Sequence, residues 1–155
     1  MDSIQEQILK TISTALATIS VANGYENEIS SVQRFRASGI DLSTMPTILV
    51  KEGDCFPELE KSAAPRIRRR MELFLVVCVR HDEAADPRSG GEILNAFVSD
   101  IERCLASNQR WDGLALMTDP PTYLEMEVDA ETPHLARGLR VEIVYEHTRA
   151  DPRTQ

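Results

Sequence analysis

Residues Arg66 to Arg80 read Arg-Ile-Arg-Arg-Arg-Met-Glu-Leu-Phe-Leu-Val-Val-Cys-Val-Arg, long enough for one extended strand and apolar at nearly every position of the second half. Side chains of a strand alternate between faces, so Leu73, Leu75, Val77 and Val79 are expected on one side and Phe74, Val76 and Cys78 on the other. A strand open to water on one side alternates apolar with polar residues, whereas this one is built to be covered on both. Its first half carries Arg66, Arg68, Arg69 and Arg70, in a chain of formal net charge -8. Two readings of that cluster stand side by side. It is either a gatekeeper that keeps an apolar strand from pairing wrongly, or a docking surface for the carboxylates of another subunit or partner, to which arginine makes forked hydrogen bonds. Contact with phosphate is a third reading, disfavoured by the acidity of the whole.

Two stretches have a helical period. Ser3 and Glu6 have capping-box spacing, and Ile4, Ile8, Ile12, Leu16 and Ile19 follow at intervals of three or four, predicting an amphipathic helix that stops near Ala22-Asn23-Gly24. Ser89 is the expected cap of a second helix, whose stripe is Leu94, Phe97, Val98, Ile101 and Leu105 and which ends at Asn108 to Trp111. The remaining strand candidates are Ser31 to Phe35, Thr47 to Val50, Leu114 to Met117, Tyr123 to Val128 and Leu139 to Glu146. Between them lie loops at Ala37 to Met45, at Cys55 to Pro65 (the tip of a hairpin) and at His81 to Gly91, and a tail from His147 to Gln155 expected to fray.

Helix, strands, helix, strands is an α+β order: one domain over residues 1–155, with a mixed, largely antiparallel sheet and both amphipathic helices on one face. Two helices cover one face of a sheet. Phe74, Val76 and Cys78, with Val144 adjoining, are therefore expected to lack a cover within the chain, and a neighbouring subunit is the economical candidate.

Composition narrows the function classes. With 25 acidic against 17 basic side chains, the balance argues against coating of nucleic acid as a role, because such affinity comes from Lys and Arg neutralising phosphates. Cys55, Cys78 and Cys104 are odd in number and form no CxxC pair, which points to reduced thiols in a cytosolic setting. No basic and apolar leader opens the chain, and its longest apolar run is too short to span a bilayer, so no membrane partner is expected.

Motifs for chemistry are sparse. His81-Asp82-Glu83 follows the long strand, but three consecutive side chains do not converge on one ion without special loop geometry, and a solvated turn is the better reading. His134 and His147 have no HxH or HExxH partner and read as surface or loop residues. Ser89-Gly90-Gly91 reads as a helix start more than as an anion loop. Glu125, Glu127 and Asp129 alternate along a strand, which suits a solvated sheet face better than a cation site. No catalytic residue, cofactor or metal is assigned.

The stretch from Ser3 to Glu146 resembles the bacteriophage tail terminator, or tail completion, proteins. The resemblance is carried by the order of elements: the helix Ile4 to Ile19, Asn23-Gly24-Tyr25, Val32-Gln33-Arg34, Pro46-Thr47-Ile48-Leu49-Val50-Lys51-Glu52-Gly53, the strand Met71 to Arg80, the helix Leu94 to Leu105 and the strand Arg140 to Tyr145. It implies a non-enzymatic subunit that forms a ring, usually a hexamer, on the last ring of the tail tube. Tube and head-completion proteins are the implied partners, DNA passes through the pore, and the implied location is the virion tail. The expected interface residues are Arg66, Arg68, Arg69, Arg70, Phe74, Val76, Cys78 and Val144, with the loops Cys55 to Pro65 and His81 to Gly91 for contact between rings. Another connector or minor tail subunit, a small metal-dependent hydrolase using His81 and Asp82, and a monomeric binding module are the alternatives.

Overall fold

A computed structural model describes residues 1–35, 39, 41–128 and 134–155, with residues 126–128 as backbone alone. The long strand β3 spans Arg66–Arg80, the bounds its sequence implies, and lies in the middle of the sheet. Around it stand β1 (Ser31–Arg34), β2 (Thr47–Pro57), β4 (Ala115–Thr118), β5 (Thr122–Val128) and β6 (His134–Thr148). The order is β1-β2-β3-β6-β4, with β5 pairing β6 on the same side as β4. Among the described residues β1 and β2 pair in parallel and the other four pairings are antiparallel. The fold is α+β, as expected.

Several elements run past their expected ends. β6 begins at His134 and stays in register with β3 over the full length of both, from Arg80↔His134 to Arg66↔Thr148. β2 continues through Glu52-Gly53-Asp54 to Pro57, because a register shift between Glu52 and Cys55 absorbs the turn-forming residues as a bulge. Cys55 therefore belongs to a strand, and the hairpin tip is confined to residues 58–65.

Helix α1 (Ile4–Leu16) is capped by Ser3, whose hydroxyl accepts from Glu6 N at 3.2 Å. It stops before the expected Ala22-Asn23-Gly24. The Ala15 carbonyl accepts from both Thr18 N and Thr18 Oγ1, at 3.0 and 2.6 Å, a tightened last turn in which the hydroxyl competes for a helical acceptor. A short turn, Val21–Asn23, follows, and Gly24 (φ 83°) closes it in the left-handed conformation that glycine adopts without strain.

Helix α2 (Gly90–Ser107) carries a full capping box: Ser89 Oγ accepts from Glu92 N, and the Glu92 carboxylate accepts from Ser89 N. Both helices lie on the face bearing Leu73, Leu75, Val77 and Val79, where Ile8, Ile12, Leu94 and Ile101 complete one core. Asp100, buried on α2, ties the chain before β1 to this layer. Its carboxylate accepts from Glu26 N, Asn27 N and Asn27 Nδ2 at 3.2, 2.9 and 2.8 Å.

The C-terminal residues are held against the body. Thr154 O accepts from Thr148 N at 2.7 Å, Pro152 O from Ile4 N at 3.0 Å, and Leu114 O from Gln155 Nε2 at 2.6 Å. Within the segment expected to fray, the Pro152 carbonyl thus satisfies the first backbone donor of α1.

Candidate functional site

The side of the sheet away from the helices is built by the alternate residues of β3 and their cross-strand partners. Along β3 these are Arg66, Arg68, Arg70, Glu72, Phe74, Val76 and Cys78. Its two halves differ in chemistry.

The lower half is an ion-pair lattice. Arg70 donates from Nε to Glu58 Oε1 at 3.0 Å, and from Nη1 to Asp119 Oδ2 at 2.8 Å and Glu142 Oε2 at 2.7 Å. Its hydrogen bonds to these carboxylates strengthen its hold on the proton, and the guanidinium holds the Glu58 carboxyl below its ordinary pKa. Arg68 donates through Nε and Nη2 to Glu146 Oε1, at 3.1 and 3.0 Å, and Arg66 Nη1 stands 3.8 Å from the other oxygen of the same carboxylate. The carboxylates that the sequence suggested another subunit would bring are supplied to Arg68 and Arg70 from within the chain.

Arg69 does not share this surface. It projects to the helix side, where Nε donates to His147 Nε2 at 2.8 Å. That contact leaves the imidazole proton on Nδ1, which donates to Thr148 O at 2.7 Å. His147, expected at the surface, is thus buried with both ring nitrogens satisfied. Beside it a polar cleft of about 290 Å³ is lined by Ser3, Gln5, Cys55, Arg69 and Tyr145. The Tyr145 hydroxyl lies 3.3 Å from Gln5 Oε1 and 3.5 Å from Cys55 Sγ, and burial pushes its pKa up.

The upper half carries the apolar residues singled out from sequence. Phe74 and Val76 are half-buried. The Phe74 ring lies over Gly53, where an added Cβ would stand only 2.7 Å from it. Val76 sits between Leu49 and Gly138. Cys78 (8% exposed) and Val144 (3%) are covered within the chain, so the accessible apolar part of this face is narrower than two helices and one sheet imply.

Among the described residues no group of three or more His, Cys, Asp or Glu is placed to hold a metal ion. His81 is buried, with Nε2 lacking a hydrogen-bond partner, while Asp82 and Glu83 are exposed, so the triplet does not converge. Asp129 lies outside the described residues, as does the side chain of Glu127; Glu125 is exposed. Among the described residues no helix is long and apolar enough to cross a membrane.

The chain matches no protein-family model and no curated protein.

Several exposed apolar side chains lie elsewhere than β3. Tyr123 and Leu124 on β5 stand with Leu116 and Met117 on β4, along the side of the sheet beyond β6. Phe35, 56% exposed, follows β1 at the opposite side, where Lys51 Nζ sits 5.4 Å above its ring. Phe56 and Leu59 project at the β2–β3 tip. The signal was present in part: Tyr123 and Leu124 are adjacent, so an alternating strand cannot bury both on one face.

Proposed function

We propose that the chain is a structural ring subunit, a phage tail terminator that caps the head-proximal end of a tail tube, stops its growth and presents a surface for head joining. The observation that carries this reading is that exposed apolar side chains stand on both lateral sides of the sheet and at one hairpin tip, in addition to Met1, Val21 and Leu42 outside the strands. Lateral patches of different composition suit repeated contact between copies, because contact between unlike patches generates rings when the rotation closes. Phe74 and Val76 extend the same contact onto the open face.

The two loops assigned to axial contacts sit at opposite ends of β3. A strand of 15 residues is roughly 45 Å long, so residues 58–65 and the segment from His81 to Ser89 are well separated along one direction. In a ring whose axis follows the strands, one loop faces the tube and the other the head-completion proteins. Phe56 and Leu59 make the first end the more apolar. The acidity of the subunit suits a pore through which DNA passes without adhering.

Six copies at -8 each carry about -48, so assembly is opposed by self-repulsion and favoured by salt. Sedimentation velocity across a salt series tests the reading. A fast-sedimenting closed species that grows with ionic strength is the expected result; a monomer at every salt and protein concentration refutes it.

A further inference from the structure

The sheet ends in two unlike edges, and we propose that β5 of one copy pairs antiparallel with β1 of the next, so that the ring closes through a sheet continuous from subunit to subunit. This rests on the ring reading above and specifies the contact that makes it. Ser31 and Phe35 donate their backbone N–H groups inward, to Pro46 O and Val50 O at 3.4 and 2.9 Å. Alternation along the strand then turns the N–H and C=O groups of Val32 and Arg34 outward. Among the described residues those outward groups have no backbone partner, and β5 has none beyond β6. Unpaired strand edges bearing exposed apolar side chains template further pairing unless they are covered.

The occupant follows from charge and symmetry. β5 reads Thr-Tyr-Leu-Glu-Met-Glu-Val, so pairing it with a second β5 sets glutamates across from glutamates, which is unfavourable. Pairing β1 with a second β1 joins four residues, as the unlike pair does, but it is isologous and stops at a dimer. The unlike pair is heterologous, avoids the facing glutamates and engages both edges of every copy in a ring. It brings the acidic strand with exposed Tyr123 and Leu124 to the edge where Phe35 is exposed and where Lys51 makes no ion pair among the described residues. Direction agrees as well. β1 runs parallel to β2, and β2, β3, β6 and β5 reverse in turn, so β1 and β5 of one chain run oppositely. Rotation about an axis parallel to the strands preserves those directions, and β5 meets the next β1 as an antiparallel neighbour.

Two edge-blocked variants test the pairing. Glu125→Pro alters β5 within the register shift between Tyr123 and Met126, where proline is tolerated. Val32→Pro removes an outward N–H from β1. Phe35→Asp, at an exposed side chain, replaces it if the circular dichroism melt shows Val32→Pro unfolded. Each variant alone is expected to lose rings, with association weakened at least about tenfold. An equimolar mixture, holding one intact edge of each kind, is expected to form heterodimers and nothing larger in light scattering. Folded variants that still form wild-type rings, or a mixture that stays monomeric, overturn the pairing and leave the ring reading standing. A wild-type chain that never assembles overturns both.

Discussion

Replacing Arg70 with methionine keeps most of the side-chain volume and removes the cation on which three carboxylates close. Asp119 and Glu142 each bind the same guanidinium nitrogen, so their contacting oxygens lie at most about 5.5 Å apart, and two charges at that distance repel by about 3 kcal/mol at an effective dielectric of 20. Glu58 adds a third negative charge. These side chains are 15–30% exposed, so water and salt screen part of the repulsion, and the net loss is set at about 2 kcal/mol near neutral pH. The sign of the pH dependence follows from Glu58. Its folded pKa lies below the unfolded one, so its pairing stabilises the fold above the unfolded value and is lost as pH falls through the folded value. The variant lacks that contribution, so the gap between the two proteins narrows as pH falls. Urea unfolding of both proteins at pH 7 and pH 4 is the assay, and the stability gap is expected to shrink by at least half at the lower pH. Equal stability at pH 7, or a gap that ignores pH, refutes the account of Arg70 as an internally neutralised cation.

Asp100→Ala leaves two main-chain donors at Glu26 and Asn27 without their acceptor and is expected to lose about 2–4 kcal/mol. Faster amide exchange at residues 26 and 27 should accompany it. Gly53→Ala places a Cβ 2.7 Å from the Phe74 ring and 3.0 Å from Glu72 Cβ, and a loss of about 1–3 kcal/mol in the same unfolding assay is expected as Phe74 is displaced. Trp111→Phe removes the hydrogen bond from Nε1 to Thr118 Oγ1 at 2.7 Å and leaves a void in the core, for an expected loss of about 2 kcal/mol in thermal melts. Val76→Asp is expected to weaken association in sedimentation more than it disturbs folding, with the circular dichroism spectrum of the folded chain retained.

Where the sequence holds local pattern, it was sufficient. Ser89 announces α2, the apolar stripe fixes its buried face, and the fifteen residues of β3 carry their own bounds. Local pattern is silent where the deciding partner is distant or where a strand tolerates turn residues. Glu58, Asp119, Glu142 and Glu146 are 12 to 78 positions from the arginines they neutralise, and no spacing rule links them. Arg69 was separable from Arg68 and Arg70 by alternation alone, yet its partner His147 lies at the far end of β6. Gly138 interrupted the apparent start of β6; in the sheet its missing side chain makes room for Leu124, whose Cδ1 would lie 3.0 Å from an added Cβ. The exposed pairs on β4 and β5 were hidden for a related reason: period-two patterning reports which face is buried and says nothing of which edge is unpaired.

Negative-stain imaging of the purified full chain at moderate salt tests the ring most directly. Closed rings of uniform diameter, six copies around a pore wide enough for duplex DNA, are the predicted result. Particles no larger than a single chain at every concentration, or open filaments without closure, would contradict it.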